Sequence, residues 1–554
     1  MEWTALAPAL CRVTRRRRHA AGSAAVALAL VLAAFPATAA DLFEGDGWDL
    51  RWDNTIRYTA AFRLFAYDDR VVADPNGDDG DRNFAPGPIS DRLDWISEFD
   101  LSRGPFGVDV SAAAWYDTIY HGTNANDSLQ TFNPYSVPHN RFTRSTEELM
   151  GEDADLLNAF AYGTFDAGEV PVSFRIGRHT LLWGESLFFA NNGIAAGQAP
   201  VDAIKAASEP EAEANEVYLP VDQVSATIQP RPDLSFSFYD QFEWRRTRLP
   251  ASGSFFSDAD FLDAGGERIV VAPGQYLYRT PDQPASASGQ YGAAMHLTLD
   301  DTDYGFYAIR FSAKEPEIFL QSSAGPPGNV QSVGNYWLVF PQGIEAYGAS
   351  FSTYIGASAL AGEFSLRRNM PLVSQTLFAL PGGGGDGYGF ARVAPEGPAD
   401  AQAYDVLSYA VGDTLQAQLS TVSTLSPGRL WQAADLSAEI AANELLNVTS
   451  GAAELDTARN RFAVALRALF EPHYYEVLPG LDLSVPLGLG YGLVGNSSVD
   501  SSMSDNTGDM EIGVTATWRT VWVGSLTFTH YIGAPDRQPF ADRDFVSLSV
   551  ERTF

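Results

Sequence analysis

Two-residue alternation of apolar and polar side chains recurs along almost the whole of this chain, and it limits the architecture more than any other feature. At the C-terminus Val546, Leu548, Val550 and Phe554 share one face of an extended chain, while Ser547, Ser549, Glu551 and Thr553 share the other. Successive side chains of a strand point to opposite faces, so one face can meet lipid and the other a polar interior. The pattern returns over Met510–Trp518, Phe462–Phe470, Leu93–Leu101 and Leu234–Trp244. A water-soluble sandwich alternates as well. Two features favour a membrane. The runs approach the ~9–11 residues a tilted strand needs to cross a bilayer, and aromatics gather near their ends, as in an interfacial girdle. No stretch beyond residue 40 reaches the ~18 consecutive apolar residues of a membrane helix. Lipid admits only helices and closed barrels, because every backbone polar group must be paired.

The fold class expected is therefore all-β: a single transmembrane antiparallel β-barrel of 16–18 strands over residues 41–554. Eighteen strands are expected, starting near Trp48, Arg92, Phe106, Leu156, Pro171, Gln223, Leu234, Gln290, Asp303, Ile344, Ser358, Gly412, Leu430, Arg459, Leu481, Asp509, Val521 and Asp544. Tight turns alternate with long Gly/Pro/Asp/Asn-rich loops, among them Asp68–Ser90, Gly122–Asp153 and Leu372–Val411. Pro200–Glu216 breaks the rhythm and reads as a helix, lying either in the lumen or in an exposed loop.

The first forty residues read as an export signal: Arg15–Arg18 as the positive region, Ala24–Phe35 as the apolar run, and Ala37-Thr38-Ala39 as the cleavage site. The lone cysteine, Cys11, falls inside it, so the mature chain has neither disulfides nor cysteine metal sites. The whole chain carries 69 acidic and 36 basic residues. Removing Glu2 and five arginines with the signal leaves 68 against 31. That balance excludes nucleic acid as a partner, since its recognition needs a basic surface. It suits acidic loops that hold divalent cations.

Several segments, in order along the chain, resemble one proteobacterial family, the domain of unknown function thirteen-oh-two. They are Asp78–Phe84, Ala114–Asp117, Arg175–His179, Trp183–Phe189, Gln198–Asp202, Leu219–Val221, Tyr347–Thr353 and Ala361–Ser365. The resemblance implies an outer-membrane barrel in a Gram-negative cell. By association it also implies a periplasmic lipid-carrier-like protein and an inner-membrane exporter as partners. The terminal Phe554 resembles the signal read by barrel-assembly machinery, and outer-membrane lipid is the expected surround.

Candidate lumen or constriction residues are Arg175, Arg178, Glu185, Asp202 and Glu216; the alternative is that these charges pair and hold an inserted segment against the wall. Ideal alternation puts Arg175 and Arg178 on opposite faces, and both avoid lipid if the strand bends or ends at Gly177. Trp183, Phe188 and Phe189 are candidates for an apolar path, or for a packing cluster. Asp74, Asn76, Asp78, Asp79 and Asp81 form a candidate calcium loop, although Gly80 comes one place late for an EF-hand; the plainer reading is a solvated turn. No other cofactor is expected. No histidine sits in a nucleophile or metal motif, so no enzyme activity is expected. The expected function is a channel or substrate-selective transporter for small, hydrophobic or amphipathic molecules. The alternatives are a non-conducting scaffold and an outer-membrane hydrolase.

Overall fold

A computed structural model describes residues 40–45, 47–208, 217–322, 332–374 and 409–554. The expected export signal, Glu216 and the middle of the Leu372–Val411 loop lie outside the described residues.

Eighteen antiparallel strands form the wall. They are β1 (Trp48–Arg63), β2 (Gly87–Arg103), β3 (Phe106–Asp117), β4 (Glu152–Ala167), β5 (Val170–His179) and β6 (Val221–Arg231). Next come β7 (Leu234–Gln241), β8 (Gln290–Leu299), β9 (Thr302–Phe311), β10 (Ile344–Ile355), β11 (Ser358–Leu372) and β12 (Ala410–Leu425). The last are β13 (Ala433–Ser450), β14 (Phe462–Leu478), β15 (Leu481–Ser484 and Leu487–Val494, broken at Pro486), β16 (Gly508–Trp518), β17 (Trp522–Ile532) and β18 (Phe545–Thr553). Each strand pairs with the next in sequence, and β18 pairs with β1 from Thr55↔Thr553 to Arg63↔Phe545, which closes the barrel. A short strand, Ala40–Gly45, pairs with the start of β1.

The alternation sorts the side chains as expected. Trp95, Ile176, Phe238, Phe306, Phe364, Ile440, Ile512, Leu526 and Leu548 are exposed on the outside. A soluble sandwich would bury such a face; a continuous apolar belt this large marks contact with lipid. Arg552 interrupts the outward face at the end of β18. Its guanidinium lies over the Trp522 ring (5.1 Å) and the Phe554 ring (5.8 Å), which places it in an aromatic girdle rather than in hydrocarbon.

Turns of a few residues join the strands at one end of the barrel. The long connections start from the other end, and their described residues outside the lumen form a crown. Four short strands there were not anticipated from sequence: Arg268–Ala272, Gln275–Arg279, Glu317–Ser322 and Ser332–Val339 form a separate sheet. It encloses Ile269, Val271, Leu277, Leu320 and Tyr336. The Pro273-Gly274 pair, with Gly274 at φ 75°, marks its first hairpin and was its one local signal. The rest depends on a parallel pairing between Gln275–Arg279 and Ser332–Val339, which local pattern does not encode.

An arginine at Leu548, on the lipid face, is expected to cost about 2–4 kcal/mol near midplane. An arginine at Ser549, facing inward, should cost far less. Denaturant unfolding of both variants in lipid vesicles measures the difference; equal losses would mean that the two faces are misassigned.

Candidate functional site

After β5 ends at His179 the chain turns into the lumen instead of leaving the barrel. Residues 180–199 cross the interior as a segment of short 3-10 turns, Ala190–Asn192 and Ile194–Gly197. Such irregular backbone carries polar groups that need partners when buried. The far wall supplies them. Glu363 on β11 accepts from the amides of Glu185 (2.8 Å) and Ile194 (2.6 Å). Glu439 on β13 accepts from the amides of Leu187 (3.1 Å), Phe188 (2.5 Å) and Phe189 (2.9 Å). Arg367 on β11 donates to the carbonyls of Asn191 (2.9 Å), Asn192 (2.8 Å) and Gly193 (2.8 Å). These three wall side chains are buried. Gly184, at φ 91°, passes so close to Glu363 that a Cβ would collide with the carboxylate. On the near wall Gln241 donates to the carbonyl of Gln198, whose side chain accepts from the amide of Trp183 at 2.7 Å. Since β11–β13 stand six to eight places from β5 in a ring of eighteen, the segment reaches across the lumen.

The structure separates the predicted residues. Arg175 points inward, with its guanidinium 5.7 Å from the Phe160 ring centre, and makes no ion pair among the described residues. It lines a cavity of about 300 Å³ with Ser173, Ser225, Thr227, Ser237, Tyr162 and Trp183. Arg178 lies on the outward side at the crown end of the strand, paired with Asp222 (3.2 Å) and Glu243 (2.6 Å). The strand ends there, so neither arginine meets the middle of the bilayer. Asp202 accepts from Arg248 (2.7 Å) and from the amides of Ile204 and Lys205, which starts a helix over Ala203–Ser208. Arg248 and Arg245 both bind Asp155 on β4, and Arg248 and Arg92 flank the Trp115 ring at 5.5 and 5.0 Å. The helix therefore stands at the barrel mouth, tied to the inner wall, and its described residues fall within the expected Pro200–Glu216; residues 209–216 lie outside the described residues.

Trp183 is buried against Tyr239 and Tyr307, and Phe189 packs beside Ala441, Ala463, Ala465 and Met503. Both anchor the segment by packing. Phe188 is half-buried beside them. Burial, with Glu363 and then Asp303 nearby, pushes the Glu185 carboxyl up to about 7. His179 contacts Ser225 Oγ at 2.9 Å, but its other ring nitrogen faces the Gly177 carbonyl and not an acid.

The acidic loop is not a solvated turn. Asn76, Asp78, Asp79 and Asp81 are all buried. Asp81 is held by Arg63 (3.0 Å) and Arg543 (2.7 Å), Asp74 accepts from the amide of Asn76, and Asn76 pairs with the backbone of Val270. Sequence reasoning missed Glu363, Arg367 and Glu439. The only local hint was an acid and a base four residues apart on an inward face of otherwise small side chains.

A closed eighteen-strand wall, an outward apolar belt and an inserted lumen segment together define a porin-like outer-membrane-type β-barrel. The chain belongs to the family described as Protein of unknown function (DUF1302), whose model matches residues 20–554. No curated protein sequence matches it. Among solved structures it is similar to OccAB4 of Acinetobacter baumannii, at 9% identity and TM-score 0.42 over 91% of this chain and 98% of that one. OpdK of Pseudomonas aeruginosa, solved with vanillate, matches at 11% and 0.40 over 91% and 98%. OmpF of Salmonella typhi, solved with daunomycin, matches at 8% and 0.38 over 92% and 99%.

Two measurements test the anchoring. Glu439→Leu strands three amides at a loss of about 1–3 kcal/mol. Hydrogen exchange should accelerate at Leu187, Phe188 and Phe189 while Glu185 and Ile194 stay protected; unchanged rates would remove Glu439 from the anchor. The raised Glu185 carboxyl sets a pH dependence. The folded state favours its neutral form, so its contribution is complete below the ordinary carboxylate range and is lost as pH rises through about 7. Protection of the segment should fall over that rise, and Glu185→Gln should flatten the fall.

Proposed function

We propose that the chain is an outer-membrane channel that passes small amphipathic molecules carrying an acidic head group. Arg175 carries this reading. An inward arginine without an ion-pair partner among the described residues, beside hydroxyls and the edge of Trp183, offers charge-assisted hydrogen bonds to a carboxylate and an apolar surface to its hydrocarbon tail. It lines a cavity with Leu181 and Trp183 of the inserted segment, which supports a role at a constriction, where charge selects solutes by sign. On this reading the short turns face the periplasm and the crown faces outward. Phe554 serves the barrel-assembly machinery, and a periplasmic lipid-carrier-like protein with an inner-membrane exporter completes the route.

A second reading has its own observation. The inserted segment and the crown both occupy the passage, and a barrel closed by them would be a docking scaffold.

Single-channel recording of the refolded protein in a planar bilayer decides between them. The channel reading expects steady openings that aliphatic carboxylates block. Block should weaken about tenfold or more in Arg175→Gln, the worth of one charge-assisted hydrogen bond. A folded barrel that stays silent supports the scaffold. Block unchanged by the substitution removes Arg175 from the path.

A further inference from the structure

Three crown loops meet where Asp78 and Asp79 of residues 64–86, Asn126 and Asn133 of residues 118–151, and Asp260 of residues 242–289 come together. Ligand-capable oxygens of Asp78, Asp79 and Asp260 lie within 4.8 Å of one another, and all three residues are buried.

Their hydrogen bonds are incomplete. Asp79 accepts from Asn126 Nδ2 (2.8 Å) and from the Asn133 amide (3.1 Å). Asp260 accepts from the Asp79 amide (3.0 Å) through Oδ2, and Asp78 accepts from Arg82 through its own Oδ2. The other oxygens, Asp78 Oδ1 and Asp260 Oδ1, have no hydrogen-bond partner among the described residues, and neither residue has any solvent exposure. Buried acceptors left unpaired are costly, and buried carboxylates crowded together repel.

The charges do not balance locally. Arg63 and Arg543 are engaged with Asp81 and Asp542, and Arg82 is engaged with Asp78. Asp79 and Asp260 form no ion pair among the described residues. Two carboxyls without a cationic partner among the described residues, two unused oxygens and a donor set made of oxygen alone match one hard divalent cation.

We propose that Asp78, Asp79 and Asp260 bind a calcium ion that ties the three crown loops together. The site differs from the sequential loop expected from sequence. It keeps Asp78 and Asp79, releases Asp74, Asn76 and Asp81 to other partners, and recruits Asp260 from about 180 residues away. Irregular loops suit calcium, which accepts variable geometry, better than magnesium, which demands a near-ideal octahedron.

The folded full-length protein in detergent is the material for the test. After chelator treatment and dialysis against calcium chloride, about one calcium per chain should remain bound. Calcium should raise the melting temperature of the wild type and of Asp74→Asn, whose carboxylate serves only a turn. It should leave Asp260→Asn unmoved. If protons rather than a cation neutralise the cluster, the wild type will bind no calcium and melt at the same temperature with calcium or chelator, and the proposal fails. It fails equally if Asp260→Asn keeps the full calcium response. Should Asp260→Asn not fold, the calcium count on the wild type decides.

Discussion

Hydrogen bonding between β1 and β18 is the constraint on which the rest of the structure depends. Thr55 and Thr553, 498 residues apart, face each other across that seam, and Arg57 and Glu551 join beside them at 2.7 Å. In hydrocarbon an unpaired backbone group costs several kcal/mol, so an open sheet edge is not tolerated. The seam forms only when the first and last strands are both present and in register. Everything inside the wall, including the inserted segment, presupposes that closure.

Inside the wall the same accounting of polar groups is met by side chains. Residues 180–199 cannot satisfy their backbone with a ladder. Two carboxylates and a guanidinium do it, with Glu363 and Glu439 taking five amides and Arg367 three carbonyls. Hydrogen bonds to charged groups are stronger than neutral ones, and each of these wall groups engages several backbone atoms at once. The segment is thereby fixed as part of the lumen, and the cavity beside Arg175 acquires a roof.

Much of this was legible in advance. The eighteen strand starts read from alternation fall within a few residues of the observed ones, because period two is a local property that each strand displays by itself. The spacing of Arg175 and Arg178 pointed to opposite faces, but both stood as lumen candidates until Arg178 was found paired with Asp222 and Glu243. The crown sheet was less legible, its strands being short and partnered across distant loops. Asp260 gave no signal at all, standing in the sequence as one more acid in an acidic loop.

The sequence by itself thus determined the barrel, a strand number between sixteen and eighteen, and which face of each strand meets lipid, since those follow from alternation and from the demand of lipid for closed pairing. Only the tertiary structure decided which wall residues grip the inserted segment, that Arg175 faces a cavity while Arg178 is spent at the rim, and that Asp260 joins Asp78 and Asp79. Those outcomes are contacts between residues far apart in the chain, and a charge in a sequence does not name its partner until folding brings the two within a few ångströms.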